Sequence, residues 1–175
     1  MIKSIPCENG TVIKILHDDD PSSPREFENL GEILYTSTRC KLGDRFVTPD
    51  EIERIAKDKD NIVLDVYAYI HSGIVLSTSE FSCPWDSGRC GIIYVPKAKV
   101  REEWKVKRIT KKLMDTVLSG LKSEIDTYSK YLGGEMYGYV VENEAGEHVD
   151  SCFGFYSIEE AEESAKECIS HRKAS

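Results

Sequence analysis

The feature that most constrains the fold is a single apolar stripe that runs through residues 109–132. Its members recur at intervals of three and four residues, as on one face of an α-helix: Ile109, Leu113, Val117, Leu121, Ile125, Tyr128 and Leu132. Gly133 and Gly134 follow immediately, and glycine commonly ends a helix. The pattern therefore predicts one long helix over about 109–132.

Strand patterns lie on both sides of this helix, and several of them pair as hairpins. A β-rich run followed by a short turn and a second run is typical of two antiparallel strands. Such pairs are predicted over Ile62–Ile70 with Ile74–Ser77, and over Met136–Glu142 with His148–Phe155. Two more strands are predicted at Thr11–Leu16 and Gly91–Val95, whereas Leu30–Thr36 fits either a strand or a helical turn.

Capping patterns mark two further helices. Thr48 is a suitable N-cap, Pro49 stands at the first helical position, and Glu51 completes a capping box. Ser157 and Glu160 repeat the capping-box spacing later in the chain. We expect helices over 49–57, 96–104 and 158–171, with a joint at 105–107.

These elements predict an α+β protein. Hairpins, rather than regular β-α-β crossovers, indicate an antiparallel sheet. We expect one domain over residues 1–175, with the long helix (about 109–132) and a C-terminal helix packed on the sheet. Gly133-Gly134 is interpreted as a helix stop, and a joint between subdomains is the alternative.

Cysteine usage and hydropathy indicate a cytoplasmic protein. No apolar run approaches the ~20 residues of a membrane span, and residues 1–7 lack the apolar core of a signal peptide. The six cysteines are scattered, so free thiols are expected in a reducing compartment.

The net charge of −8 hides a strong asymmetry. Residues 97–112 contain eight basic and two acidic residues, whereas residues 142–167 contain nine acidic residues and one lysine. Such asymmetry favours a charged partner. The alternative is two solvated helix faces that attract one another within the fold. Four cations are candidates for nucleic-acid contact: Lys107, Arg108, Lys111 and Lys112.

The loop between Ile74–Ser77 and Gly91–Val95 combines a tryptophan, a proline and two cysteines, Cys83 and Cys90. Trp85 either plugs the edge of the core or stands exposed as an interface anchor with Arg89. Asp86 is expected to begin an Asx-type turn in this loop and is a third candidate for partner binding.

The chain contains no phosphate-binding loop and no nucleophile elbow. Cysteine and histidine spacings fit no closed metal site, because Cys83 and Cys90 are seven residues apart. We therefore expect no metal, no cofactor and no enzymatic activity. A cysteine- or metal-dependent enzyme that uses His71, Cys83, Asp86 and Cys90 is the main alternative.

Five segments together resemble a family of small, mostly unannotated proteins of bacteriophages, prophages and plasmids. They are Ser23–Gly31 (SPREFENLG), His71–Gly73 (HSG), Phe81–Gly88 (FSCPWDSG), Val100–Glu103 (VREE) and Tyr137–Tyr139 (YGY). The resemblance covers about residues 21–156 and names no chemistry. Cys90 stands where a non-cysteine residue is expected.

The resemblance implies a role in counter-defence, because small acidic proteins of mobile elements often inhibit host defence. We expect a non-catalytic anti-CRISPR protein that blocks a nuclease such as Cas9 in the host cytoplasm. Its acidic face could mimic nucleic acid with Glu159, Glu160, Glu162 and Glu163, together with Glu142, Glu144, Glu147 and Asp150. Alternatively, the basic stretch grips nucleic acid while the Cys83–Cys90 loop contacts protein. A structural or regulatory phage protein is a third possibility.

Overall fold

The computed structural model describes residues 1–7, 10–83 and 85–173, and only the backbone of residues 172 and 173. Its strands are β1 (Lys3–Pro6), β2 (Val12–His17), β3 (Glu32–Tyr35), β4 (Arg45–Phe46), β5 (Asn61–Ile70), β6 (Ile74–Ser77), β7 (Ser87–Pro96), β8 (Tyr137–Glu142) and β9 (His148–Phe155). Its helices are α1 (Pro49–Lys57), α2 (Lys97–Glu103), α3 (Lys111–Leu132) and α4 (Ile158–Lys173), with a short 3-10 helix at Pro24–Glu26. The protein is α+β, as predicted.

Most element boundaries lie within two residues of the prediction, and larger differences occur at β7, β1 and β4. The long helix begins at Lys111 rather than Ile109, because the Thr110 side chain accepts a hydrogen bond from the Leu113 amide at 3.2 Å and caps it. Strand β7 begins four residues earlier than expected, at Ser87. The short strands β1 and β4 were not predicted, since runs of four and two residues are too short to show a period.

The two predicted capping boxes form only in part. Thr48 and Ser157 accept hydrogen bonds from the amides of Glu51 and Glu160, at 3.3 and 3.1 Å. The Glu51 carboxylate binds Arg45 at 2.7 Å instead of returning to its cap. The Glu160 carboxylate accepts from the Tyr156 amide at 3.2 Å, one residue before the cap.

The chain forms two compact units, residues 1–23 with 134–175 and residues 24–133. One boundary falls between Gly133 and Gly134, where α3 also ends, so this pair is both a helix stop and a joint between units. Instead of one sheet, each unit has its own. The single domain over 1–175 stays a prediction. In the described part of the chain, no helix combines the length and apolar character needed to cross a bilayer.

The unit of residues 1–23 and 134–175 is a four-stranded antiparallel sheet in the order β1-β2-β8-β9, with α4 on one face. Ile13, Ile15 and Val141 of the sheet pack against Ala161 and Ala165 of α4. Small alanine side chains on the inner side of α4 let the helix lie close to the strands. The C-terminal helix therefore packs on this sheet.

The unit of residues 24–133 is a five-stranded sheet in the order β4-β3-β7-β5-β6, antiparallel except for the β3–β4 pair. The apolar stripe of α3 packs on one face through Val117, Leu121 and Ile125. On the opposite face, Ile52 of α1 packs against a smaller cluster that includes Leu34 and Ile92. The apolar stripe that predicted the long helix is thus also the face by which the helix packs on the sheet.

The Ser23–Gly31 segment is held by a hydrogen-bonded cluster that we call the Arg25 clamp: Arg25, Asn29, Asp44 and Glu124. The Arg25 guanidinium donates two hydrogen bonds to Asp44 and one each to Asn29, Glu124 and the Gly31 carbonyl. A side chain at Gly31 would come within 2.6 Å of Leu121 of α3. This motif of the family resemblance therefore has a structural role.

Candidate functional site

A cleft of about 580 Å³ opens on the five-stranded sheet, between the segment 36–42 and the segment 85–90. Its floor is apolar and includes Leu42, Ala68 and Ile74, whereas its rim carries hydroxyl and charged groups. This volume lies within the range of ligand-binding clefts, ~300–1,000 Å³. The cleft contains four residues that the sequence singled out, Trp85, Asp86, Arg89 and Cys90.

A β-bulge shapes this end of the sheet. Val66 pairs with Gly91, but the next residue, Tyr67, pairs with Arg89, so Cys90 is the extra residue. Bulges of this kind re-aim side chains. Glycine is required at position 91, because an added Cβ would lie 2.0 Å from the Leu34 carbonyl oxygen. Cys90 is consequently packed against the core beneath α3.

The Trp85 residue lies on the surface, with 91% of its area exposed to solvent. The interpretation that Trp85 plugs the core edge is therefore wrong, and the alternative of an exposed aromatic side chain is what the structure shows. Ile70, at the end of β5, lines the same cleft and is 43% exposed. Pro84, which precedes the tryptophan, lies outside the described residues.

Asp86 holds the base of this exposed loop. Its backbone carbonyl accepts a hydrogen bond from the Ile70 amide at 2.9 Å. Its carboxylate lies 3.4 Å from Nδ1 of His71, while the Ser87 hydroxyl bonds to the Cys83 carbonyl. Two separate sequence motifs, HSG and WDSG, thus meet at one site.

Arg89 is engaged within the fold. Its guanidinium binds Asp65 at 2.7 Å and Glu53 of α1 at 2.9 Å, on the sheet face that α1 covers. The hydrogen bond from Arg89 lowers the pKa of the exposed Glu53 carboxylate. Arg89 therefore joins α1, β5 and β7, a role that its position beside Trp85 in the sequence did not reveal.

The geometry does not activate Cys90 as a nucleophile. Its thiol donates to the Val66 carbonyl at 3.4 Å, and burial raises its pKa to about 12. A nucleophilic cysteine needs a thiolate, which a cationic neighbour or helix N-terminus would favour. All six cysteines carry free thiols. Over residues 1–7, 10–83 and 85–173, no three metal-binding side chains of His, Cys, Asp or Glu converge.

The four glutamates predicted to form an acidic binding face on α4 divide into two pairs. Glu162 contacts Lys3 and Lys166, and its side chain is only 14% exposed. Glu160 is used near the cap of the helix. Glu159 and Glu163 are exposed on the first two turns of α4. Of the other acidic candidates, Glu142 pairs with Lys14, Glu147 accepts from Asn143, Asp150 accepts from Cys168, and Glu144 is exposed.

The four basic candidates around the start of α3, Lys107, Arg108, Lys111 and Lys112, are all exposed. Throughout the described chain, none of the eight cations of residues 97–112 forms an ion pair with a carboxylate. The alternative of attraction between the basic and acidic stretches stays a prediction, because the two stretches belong to different units.

Sequence reasoning missed three exposed residues. Ile70 and Arg39 join Trp85 at the cleft only because the strands and the segment 36–42 fold together. Trp104 directly follows α2 and is 38% exposed among the basic residues. The position of Trp104 between the cations Arg101 and Lys105 was the sequence feature that could have identified it as a candidate binding residue.

Comparisons with protein-family models, with curated proteins and with solved structures found no match for this chain.

Proposed function

We propose that this protein is a non-catalytic binding protein that docks onto a protein partner through the surface around Trp85. We call this the Trp85 surface and define it as Arg39, Ile70, Trp85 and Asp86. The observation that carries the proposal is the 91% exposure of Trp85 beside a partly apolar cleft. Tryptophan and arginine are enriched among the residues that dominate binding energy at interfaces.

The chemistry of the Trp85 surface suits a protein partner. Trp85 projects outward, so it can enter a pocket on another molecule. Within the described chain, the Arg39 guanidinium has no ion-pair partner and remains available to a carboxylate of a partner. Asp86 and His71 are fixed by contacts with each other and supply a polar rim. This combination of an apolar anchor and polar edge is typical of interfaces.

The partner that we propose is a bacterial nuclease of host defence in the host cytoplasm, namely a CRISPR effector such as Cas9. This part of the proposal rests on the resemblance to proteins of phages and plasmids. The Trp85 surface is favoured over the acidic face of α4, because Glu160 and Glu162 are engaged within the fold. The enzyme alternative is disfavoured at Cys90, because this thiol is partly buried and its pKa is raised to about 12.

The test measures binding to a purified CRISPR effector loaded with guide RNA, using the native protein and Trp85→Ala. Loss of a central aromatic anchor costs about 2 kcal/mol or more, which weakens Kd roughly 30-fold. Phe27→Ala is the matched control, since it removes another exposed aromatic side chain, 63% exposed, that lies outside the Trp85 surface. Equal affinity of Trp85→Ala and the native protein would place the interface elsewhere, and no binding by the native protein would reject this partner.

A further inference from the structure

Among the residues that the structure describes, six cations of one short segment have no internal partner. In the described chain, seven cations are ion-paired: Lys3, Lys14, Arg25, Arg45, Lys57, Arg89 and Lys166. Within residues 97–112, Lys97 and Lys99 instead donate to backbone carbonyls. The other cations of this segment form neither an ion pair nor a side-chain hydrogen bond to a carbonyl: Arg101, Lys105, Lys107, Arg108, Lys111 and Lys112. We call these six cations and Trp104 the basic segment. The chain has a net charge of −8, so the missing ion pairs are not due to a shortage of carboxylates.

The start of α3 carries a cost that no contact within the described segment offsets. The left-handed φ of 52° at Lys105 is a different case, because it closes α2: the Lys105 amide donates to the Glu102 carbonyl at 3.1 Å and the Val106 amide to the Arg101 carbonyl at 3.0 Å. Lys111 and Lys112 begin α3 with no acidic residue in its first turn, although positive charge is unfavourable at this end of a helix. The positive charges of Lys111 and Lys112 are therefore not explained by the stability of the fold.

Trp104 adds an aromatic face to the positive charge. It lies between Arg101 and Lys105 and is 38% exposed. Proteins that bind single strands combine a positively charged path for phosphates with aromatic side chains on which bases stack. A duplex keeps its bases stacked internally, so an exposed indole favours an unpaired strand.

We propose that the basic segment binds single-stranded nucleic acid, with its cations on the phosphates and Trp104 stacked on a base. The binding is independent of docking at the Trp85 surface. Because four to six cations contact phosphates, the plot of log K against log salt has a slope of about −3 to −4. The acidic remainder of the chain repels the strand elsewhere and confines it to this segment.

The first test titrates fluorescein-labelled oligo(dT), oligo(U) and a DNA duplex, each about 20 nucleotides long, and follows their anisotropy. Lys107→Glu with Arg108→Glu changes the charge outside α3 and is expected to weaken single-strand binding at least tenfold. Arg54→Glu with Lys122→Glu, two exposed cations elsewhere, has the same charge change and is expected to bind like the native protein. The two single-stranded oligomers distinguish DNA from RNA.

Three results of this titration would overturn the proposal: no binding of either single strand at low salt, an equal loss in the control variant, or a duplex bound as tightly as the single strands. None of these results would contradict the proposed docking at the Trp85 surface. Conversely, Trp85→Ala is expected to bind oligonucleotides normally, so failure of one proposal does not imply failure of the other.

The second test observes Trp104 directly. The chain has only two tryptophans, so Trp85→Phe leaves Trp104 as the single indole. Stacking on a base is expected to quench its fluorescence as oligo(dT) is added, in step with the anisotropy change. Binding without a change in this fluorescence would contradict the stacking role, and Trp104→Ala, checked by thermal unfolding, is expected to weaken binding as well.

Discussion

Arg25 grips Asp44 with two parallel hydrogen bonds, from Nε to Oδ1 at 2.9 Å and from Nη2 to Oδ2 at 2.6 Å. The Arg25 side chain is only 9% exposed, and Asp44 also accepts from the Ile33 amide at 2.7 Å. Glu124 of α3 binds the same guanidinium and the Leu30 amide. Bidentate, partly buried pairs of this kind depend on the planar arginine fork.

Removing Arg25 is therefore expected to destabilise the protein severely. Arg25→Ala leaves the carboxylates of Asp44 and Glu124 without their cation, at a cost of about 3 kcal/mol. Arg25→Lys is expected to recover only part of this, since lysine cannot donate in two parallel directions. Chemical denaturation measures the free energy of unfolding.

Arg45 is the matched control for the Arg25 clamp. It also binds two carboxylates, those of Glu32 and Glu51, but its side chain is 45% exposed. Solvent screening limits such pairs, so Arg45→Ala is expected to cost less than about 1 kcal/mol. Equal losses from the two variants would show that the burial of Arg25 does not matter.

Alkaline pH is expected to destabilise the protein. Burial raises the pKa of Cys90 and that of Tyr128 to about 12, compared with about 8.5 and about 10 in an unfolded chain. Their contribution to stability is complete below the unfolded values and is lost as the pH rises towards 12. The loss reaches up to about 1.4 kcal/mol per pH unit for each group.

Denaturation curves between pH 7 and pH 11 measure this dependence. Tyr128→Phe and Cys90→Ala are each expected to flatten it, because each removes one titrating group. Cys152→Ala, at an exposed cysteine, is expected to keep the native slope. A native protein equally stable at pH 8 and pH 11 would contradict the prediction.

Relief of the left-handed backbone at Lys105 is expected to stabilise the fold. Its φ of 52° costs about 1 kcal/mol for a residue with a Cβ, and glycine avoids this cost. Lys105→Gly is therefore expected to unfold at a higher temperature. Lys107→Gly, an exposed neighbour without positive φ, is the control and should bring no such gain.

Periodicity and capping made most elements predictable. The stripe from Leu113 to Leu132 forms α3, and the hairpin of Ile62–Ile70 with Ile74–Ser77 pairs as expected. Thr110 was overlooked as a cap, because Ile109 continues the apolar spacing of the helix. The start of α3 is therefore set by the cap at Thr110 and not by the apolar periodicity.

The candidate site was predictable only in part. Trp85 and Asp86 were identified from an unusual composition, and the structure places both at one cleft. The role of Arg89 was not predictable, because its partners Glu53 and Asp65 are distant in sequence. The Cys90 bulge that separates Arg89 from the core also depends on pairing across strands.

Trp85 and Arg89 are expected to separate binding from stability. Trp85→Ala removes a side chain that is 91% exposed, so the free energy of unfolding should change by no more than about 0.5 kcal/mol while partner binding is lost. Arg89→Ala breaks two partly exposed ion pairs and should cost up to about 1 kcal/mol, with a smaller effect on binding. Denaturation and binding measured on the same preparations check both variants. If Trp85→Ala unfolds the protein, the indole supports the fold and the Trp85 surface is not a docking site.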